Sequence, residues 1–368
     1  MKLGDVVNFR NGKGLNTDFY NDKGKYPVWG ANGQIARTDQ LLNENPVVVV
    51  GRVGAYCGSV YAVNEPNWIT DNAIIATPKD GVDLNYLYYR LNSLGLIRVA
   101  VGSAQPLVTQ GGLKVLKTVI PPLPEQKAIA RILGSLDDKI ELNHQMNRTL
   151  EEISQAIFKA WFVDFESFKD SNFVESELGQ IPEGWKVGTI GENFDLTMGQ
   201  SPPGTTYNEE GIGSPFFQGR RDFTNRFPLK RVYCTEPKRF AKKDDSLISV
   251  RAPVGDLNMA FEDCCIGRGL AAIRHKLTSR SFTYYSMNYL KKVFNSFEAD
   301  GTVFGSINKT QFESLKLVIP TNEIIEEFEK TTLPIDEQIL YNELEIQALT
   351  KTRDTLLPKL ISGEVKVS

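Results

Sequence analysis

The chain is poor in the residues that usually carry chemistry. Of its 368 residues two are histidine, His144 and His275, and four are cysteine, Cys57, Cys234, Cys264 and Cys265. No cysteines pair as C-x-x-C, and the adjacent Cys264 and Cys265 are poorly placed to bridge each other, so all four read as reduced thiols of a cytoplasmic protein. No phosphate-binding loop of the form GxxxxGK followed by Ser or Thr is present; NGKG and DKGK lack the helix start and the hydroxyl that hold phosphate and Mg²⁺. No GxGxxG follows a strand pattern, and no acidic or histidine cluster has metal-ligand spacing. PEQK (Pro124 to Lys127) has the E-x-K spacing of some nucleases, but it opens a helix without an acidic partner, where Glu125 suits the helix dipole. NEPNW (Asn64 to Trp68) is vaguely like the tetrapeptide of amino-methyltransferases, yet without a cofactor fingerprint it reads as a turn. His144 falls on a helix and reads as a surface residue, and His275 follows a strand. A stand-alone catalyst, a metal-dependent nuclease included, is not what this inventory describes.

Long apolar runs are missing too. No uncharged stretch approaches the roughly 20 residues of a membrane helix, and MKLGDVVNFRNGKG lacks the apolar run of a signal peptide. There is no global excess of positive charge either, since the net charge is -3, so a nucleic-acid surface has to be local. What remains, 41% hydrophobic and 24% charged residues over a length beyond one typical domain, describes ordinary globular protein with two or more cores.

What is present is repetition. GSLDDKIELN (Gly134 to Asn143) returns as LPIDEQILYN (Leu333 to Asn342), 199 positions later, and at the same offset KVLKTVIPP (Lys114 to Pro122) lies over ESLKLVIPT (Glu313 to Thr321). Upstream the offset drifts, as loop insertions would make it: LGDVVNFRNG (Leu3 to Gly12) resembles IGENFDLTMG (Ile190 to Gly199), and VVVVGRVGAYCGSV (Val47 to Val60) answers SLISVRAPVGDLNM (Ser246 to Met259). The unit is half the chain, far too long for a solenoid. The plan is domain, helix, domain, helix.

In both helical parts apolar residues step alternately by three and four. The seam comprises Leu136, Ile140, Asn143, Leu150 and Ile157 in the first copy, and Ile335, Ile339, Asn342, Ile346, Leu349 and Leu356 in the second. A 3.5-residue period held this long indicates a coiled coil. Each copy has a break at one place: Ser135 with Asp138 three residues on reads as a capping box, and Pro334 suits a helix's first turn. A short helix, a kink and a long helix are therefore expected twice. The simplest closure is an antiparallel pair with a globular domain at each end, in the register that sets Asn143 against Arg353, Ser154 against Asn342 and Leu150 against Ile346. A parallel pair would match Asn143 with Asn342, and the linker of about 22 residues can reach either way at ~3.3 Å per residue, so direction stays open. Two core helices of one compact domain are the plainer alternative.

The globular halves read as α+β. Strands are expected at Asn45 to Val63 (in part), Asp71 to Pro78, Ser246 to Pro253 and Gly269 to His275, and short helices at Leu84 to Ser93 and Ser281 to Ser296. Boundaries fall at 1–120 for the first domain, 121–163 for the first helical region with its kink near 134–135, and 164–184 for a linker. The second domain takes 185–319, the second helical region 320–361 with a kink near 333–334, and a tail 362–368. Phe216 to Lys243 contains nine basic and two acidic residues, a local charge of +7. Lys and Arg neutralise phosphates, Arg pairs bidentately with guanine, and a glutamine amide matches adenine. Candidate DNA-binding residues are Gln218, Arg220, Arg221, Arg226, Lys230, Arg231 and Arg251 in the second half. The sparser first half contributes Lys13, Lys25, Asn32, Arg37 and Arg52. A solvated loop with ordinary surface charge is the alternative for each. A helix from Leu136 to Trp161 would span ~39 Å, close to the roughly 34–36 Å between successive major-groove faces.

Over essentially its whole length the sequence resembles the specificity subunits of type I restriction-modification systems. IPPLPEQKAIARILGSLDDKIELN with LEEISQAIFKAWFVDF resembles that family's central region, GQIPEGWKVGTIGE its entry into the second target recognition domain, and LLPKLISGEVKV its C-terminal ending. MKLGDVV begins without an IPxGW-type lead-in, so a few N-terminal residues of the first domain are expected to be absent. The resemblance implies two pseudo-twofold-related target recognition domains separated by an antiparallel coiled coil, in a noncatalytic subunit that binds double-stranded DNA. Two methyltransferase subunits would dock along the helices and bring S-adenosylmethionine for adenine-N6 methylation. Motor-nuclease subunits would add ATP- and Mg²⁺-dependent translocation and cleavage, so no cofactor is expected in this chain. Trp161, Phe162 and Phe165 are candidate methyltransferase contacts, with packing against the second domain as the alternative. A coiled-coil scaffold that organises proteins without reading DNA is the competing function.

Overall fold

Four consecutive valines, Val47 to Val50, are each at most 3% exposed. Side chains alternate across a strand, and here both faces are covered. Val48 and Val50 pack with Leu87 and Leu91 of the helix Leu84–Ser93, while Val47 and Val49 pack with Ile69, Ile75 and the half-buried Trp29 and Tyr61. A strand buried on both faces needs an unbroken apolar run, which is why the sequence does not alternate there.

The structure is a computed structural model describing residues 1–102, 105–299 and 305–367; Ser368, at the end of the expected tail, lies outside the described residues. The chain forms two units, one from Met1–His144 with Glu343–Ser368, the other from Gln145–Asn342. Unit one has a four-stranded antiparallel sheet in the order Val7–Asn11, Ala73–Pro78, Val47–Gly51, Val60–Val63. Its second sheet holds Gly33–Thr38, Tyr26–Gly30 and Trp68–Ile69, the last two parallel. Unit two repeats the first sheet as Phe194–Met198, Leu270–His275, Ser246–Ser249, Leu257–Met259. Its second sheet grows to five strands around the parallel pair Ser214–Phe217 and Cys264–Ile266. The helix Arg280–Tyr289 takes the place of Leu84–Ser93. The sequence echoes are thus matched strands.

One shared glycine in those echoes has a steric reason. Gly12 and Gly199 end the equivalent first strands, donating to Ala73 O and Leu270 O. A Cβ on Gly12 would lie 2.2 Å from the Thr70 carbonyl oxygen, and one on Gly199 would lie 2.1 Å from that of Gly267. Both are close backbone crossings that only glycine permits.

Two helices run unbroken, Leu123–Phe162 and Asn322–Ser362. The expected kinks at 134–135 and 333–334 do not divide them. Ser135 Oγ donates back to the Ile132 carbonyl at 2.8 Å instead of capping a new helix. Ile129 and Leu133, just before it, are held among Tyr86, Tyr89, Leu360 and Ile361. Pro334 forfeits one intrahelical bond, and packing of Phe328 and Ile339 in the core of unit two carries the helix through it. The 164–184 linker is not plain coil either: Phe173–Ser176 and Gly179–Pro182 form a hairpin.

Each unit contains a segment of both helices, and in each the segments run antiparallel. In unit one Arg353 Nη1 meets Asp137 Oδ1 at 2.8 Å and Asn143 Nδ2 meets Glu345 Oε2 at 2.7 Å. In unit two Asn342 Nδ2 donates to Asn147 Oδ1 at 2.8 Å, and Phe158 and Phe162 share a core with Ile325 and Phe328. The register is about one heptad from the expected one: Asn342 faces Asn147, seven residues from Ser154, and Arg353 reaches Asp137, six residues from Asn143. A slip of seven keeps apolar layers matched, so the polar pairs decide. Asn342 Nδ2 satisfies Asn147 Oδ1, while Asn147 Nδ2 donates to the Ile339 carbonyl and Asn342 Oδ1 accepts from Gln338. Of the seam residues, Asn143, Ile339, Asn342 and Ile346 are buried; Leu136, Ile140, Leu150, Ile157, Ile335, Leu349 and Leu356 are half-buried.

Gly12→Ala and Gly199→Ala are each expected to lower unfolding free energy by about 1–3 kcal/mol, read by denaturant titration. Asn342→Ala, which strands the Asn147 amide, is expected to cost about 1–3 kcal/mol in the same assay; an unchanged midpoint would show that this pair does not set the register.

Candidate nucleic-acid interface

Where the strand Ser214–Phe217 ends, Gln218 and Gly219 lead into a single turn, Arg220–Asp222. The turn is closed from within. The half-exposed Arg231 donates through Nε to the buried Asp222 Oδ1 at 2.8 Å, and the Leu229 amide donates to the Asp222 carbonyl. Five sequence-selected residues, Gln218, Arg220, Arg221, Arg231 and Arg251, line one cleft of about 620 Å³, floored by Tyr207 and Phe216 with ring centroids 4.6 Å apart. Arg220 is paired with Asp256. Among the described residues Arg221 and Arg251 have no ion-pair partner, and both are exposed.

Sequence reading missed three neighbours. Ser201 Oγ accepts from Gln218 Nε2 at 2.9 Å and from the Arg268 amide at 3.2 Å, so it fixes the amide that faces the cleft. Glu209 adds an acceptor to the lining. All three are remote from the basic run in sequence, and nothing in their local pattern marks them.

Two residues of the second-half set are elsewhere. Lys230 pairs with Glu262 at 2.8 Å and lies outside the cleft lining. Arg226 is a correction: it is 2% exposed and turned inward, not toward a ligand. Its Nη2 meets Asp336 Oδ1 at 2.7 Å and its Nη1 meets Glu151 Oε2 at 2.9 Å. Its guanidinium carbon lies 3.4 Å from the centroid of the Tyr284 ring. Burial opposes its charge, but Asp336, Tyr284, Tyr285 and Glu151 together hold its pKa well above the ordinary value. Burial raises the Glu151 pKa, with Arg226 pulling the other way. A planar fork that satisfies two carboxylates and stacks on a ring is what makes arginine tolerable here.

In unit one Lys13 and Arg52 gather around the segment Ile69 to Asn72. The Lys13 amide donates to Ile69 O, Arg52 Nη1 to Asp71 O at 3.2 Å, and the Arg52 amide to Asn72 O. Asn32 is exposed in the turn joining Tyr26–Gly30 to Gly33–Thr38. Lys25 and Arg37 sit at the opposite end of that hairpin. Arg37 donates to the Gly24 and Lys25 carbonyls at 2.7 and 2.8 Å, so its guanidinium closes the hairpin. Lys25 Nζ lies 5.2 Å from the centroid of the Tyr26 ring.

The aromatic trio is largely internal. Phe162 is 6% exposed and packs on Phe158, Trp185, Phe282 and Phe328, so it is not available to a partner. Trp161 lies edge-on to Phe168 and Phe328, and Phe165 to Phe173 and Trp185; both are half-buried. The exposed large apolar residues of the long helices are others: Leu123, Leu142 and Leu344 in unit one, Met146, Ile153 and Tyr341 in unit two.

The remaining titratable groups read as structural. Burial lowers His275 to about 4, and Phe194 and Phe282 lie edge-on to its ring. All four cysteines are free and buried. Among the described residues no group of three or more His, Cys, Asp or Glu is placed to hold a metal ion, and no helix is long and apolar enough to cross a membrane.

Two copies of one α+β domain, each continued by antiparallel segments of the same two long helices, define an internally duplicated protein with two globular domains. The family model described as "Type I restriction modification DNA specificity domain" matches residues 1–152 and 182–345, and the chain belongs to that family of type I restriction-system specificity subunits. A putative type I restriction enzyme MjaX specificity subunit from Methanocaldococcus jannaschii is 33% identical over 330 residues, 86% of this chain and 76% of the relative. The MjaIX specificity subunit of the same organism is 31% identical over 312 residues, 79% of this chain and 71% of the relative. In fold the chain is similar to the crystal structure of the type I restriction-modification S subunit from M. genitalium, with TM-score 0.64 and 20% identity over 98% of this chain and 95% of that one.

Breaking the buried ion pair from either side, by Arg226→Met or Asp336→Ala, is expected to destabilise unit two by about 3–5 kcal/mol. Calorimetry checks this.

Proposed function

We propose that the chain is the noncatalytic DNA-reading subunit of a type I restriction-modification complex. Each domain reads one half of an asymmetric bipartite site. The observation that carries this reading is the cleft of unit two, where Gln218, Arg220, Arg221, Arg231 and Arg251 converge from separate segments of the chain. Guanidinium groups supply phosphate neutralisation and bidentate guanine contacts, and the Gln218 amide, held by Ser201, supplies a donor and an acceptor for a base edge. In unit one Lys13, Asn32 and Arg52 play the corresponding part. Arg52 and Arg251 occupy matching places in the two copies, one and two residues beyond the strands Val47–Gly51 and Ser246–Ser249. The other cleft residues differ between copies, so the half-sites differ.

The long helices, of 40 and 41 residues, would fix the spacing between half-sites and carry the methyltransferase subunits. Their exposed large apolar residues, Leu123, Leu142 and Leu344 in one unit and Met146, Ile153 and Tyr341 in the other, are better candidate contacts than the buried Phe162. S-adenosylmethionine, ATP and Mg²⁺ would act on the methyltransferase and motor subunits, in the cytoplasm.

Methylation-sensitive sequencing of host DNA is expected to reveal one modified bipartite motif. Binding of the assembled methyltransferase to that motif should fall steeply with salt; equal affinity for all duplexes at moderate salt would favour the scaffold reading. The double reversal Arg221→Glu with Arg251→Glu is expected to weaken second half-site binding by about 1–3 kcal/mol for each base pairing it removes, and to leave the first half-site intact. Inserting one heptad into each helix should lengthen the preferred spacing by about 10 Å, about three base pairs.

A further inference from the structure

The two units meet one electrostatic problem in different ways. In unit one Asp137 of the first long helix accepts from the Tyr89 hydroxyl at 2.6 Å and from Arg353 Nη1, on the antiparallel helix, at 2.8 Å. At the 199-residue offset of the repeat its counterpart is Asp336. The Tyr285 hydroxyl, on the matching short helix, donates to Asp336 at 2.8 Å. The tyrosine and the carboxylate are thus common to both copies. The cation is not. At the same offset the counterpart of Arg353 is Ser154, which carries no charge.

Arg226 supplies the missing cation from outside the helix pair. It comes from the basic loop whose ends, Asp222 and Arg231, are paired at the cleft, and it reaches Asp336 on one helix and Glu151 on the other. The loop is pinned around it: the Met259 amide donates to the Arg226 carbonyl, and Asn258 Nδ2 donates to the Thr224 carbonyl at 2.8 Å. Asp137, by contrast, takes its cation from within the helix pair, so the first domain's reading turn at Asn32 bears no such load.

We infer that Arg226 is a positioning residue that locks the base-reading loop of the second domain to the helix pair of unit two, making recognition of the second half-site, and not of the first, depend on how those helices pack. This deepens the proposed DNA-reading function and rests on it. A partner gripping the helices of unit two acts, through Glu151 and Asp336, on the loop that carries Arg220, Arg221 and Arg231. Arg226 itself touches no DNA.

The repeat supplies its own control, because Ser154→Arg places an arginine where unit one already has one. The full chain, assembled with its methyltransferase subunits, is tested by competition between the duplex bearing its modified motif and duplexes altered in one half. Arg226→Ala should lose about tenfold or more of discrimination at the second half-site and none at the first. Ser154→Arg with Arg226→Ala should regain the wild-type melting temperature while second-half discrimination stays lost, an outcome a purely structural role does not give. Arg226→Lys keeps a charge for Asp336 without the fork to Glu151, and should lose second-half discrimination by a smaller factor. The inference is overturned if the double variant recovers full second-half discrimination, if Arg226→Ala weakens both halves alike, or if Arg226→Lys is unchanged at the second half. A wild-type complex indifferent to sequence would remove the proposed function itself, and the inference with it.

Discussion

A carboxylate recurs at the same place in each copy of the repeat, on the packing side of a long helix and within reach of a tyrosine hydroxyl. Withdrawing such a group from water costs several kcal/mol unless a cation and hydrogen bonds are held close to it. Asp336 is the more extreme case at 3% exposure, and its surroundings are built to match: a guanidinium, the Tyr285 hydroxyl and the Ser281 hydroxyl all converge on it. Asp137 is more open and needs only Tyr89 and Arg353. Much of the rest follows from those demands. The Asp137 to Arg353 pair, with Asn147 on Asn342, selects one register from several that apolar layers alone would accept, and Arg226 fixes where the basic loop can go.

Duplication with divergence explains how one fold carries two different surfaces. The four-stranded sheet, its covering helix and the glycine crossing at the end of the first strand are common to both units. The second sheet is where they part: three strands and a tight turn in unit one, five strands and a long basic loop in unit two. Loops at the ends of strands carry little of the core and can change with little effect on it. The loop surfaces therefore diverged while the scaffold stayed recognisable. The helix pair did not stay neutral in that process, because the longer loop of unit two became one of its ion-pair partners.

The repeat, the two helices and the strands Val47–Gly51, Val60–Val63, Ala73–Pro78, Ser246–Ser249 and Leu270–His275 were legible in the linear order of residues, because periodicity reports directly on which side chains share a face; the strands of the second sheets were not. The valine run and the three–four stepping are local statements. So were the basic loop and most of the cleft that it helps to line, although Arg226 and Lys230 of the same run lie elsewhere. Glu209, which lines the cleft, and Ser201, which holds Gln218 there with the Arg268 amide as its second donor, left no local signature. Nor did the continuity of the helices, where local capping signals at Ser135 and Pro334 were outweighed by packing on both sides of them.

Sequence alone thus determined the duplicated plan, the two long helices and the central strands of each four-stranded sheet, through short-range rules of spacing and sterics. Tertiary structure alone decided partners. A heptad pattern is unchanged by a slip of seven, so only the pairing of Asn147 with Asn342 and of Asp137 with Arg353 could choose the register. Charge in a sequence likewise has no direction, so an arginine in a basic run reads as one more surface cation. It was the carboxylates of two helices, remote in the chain and close in space, that turned Arg226 inward and left Arg221 and Arg251 facing out.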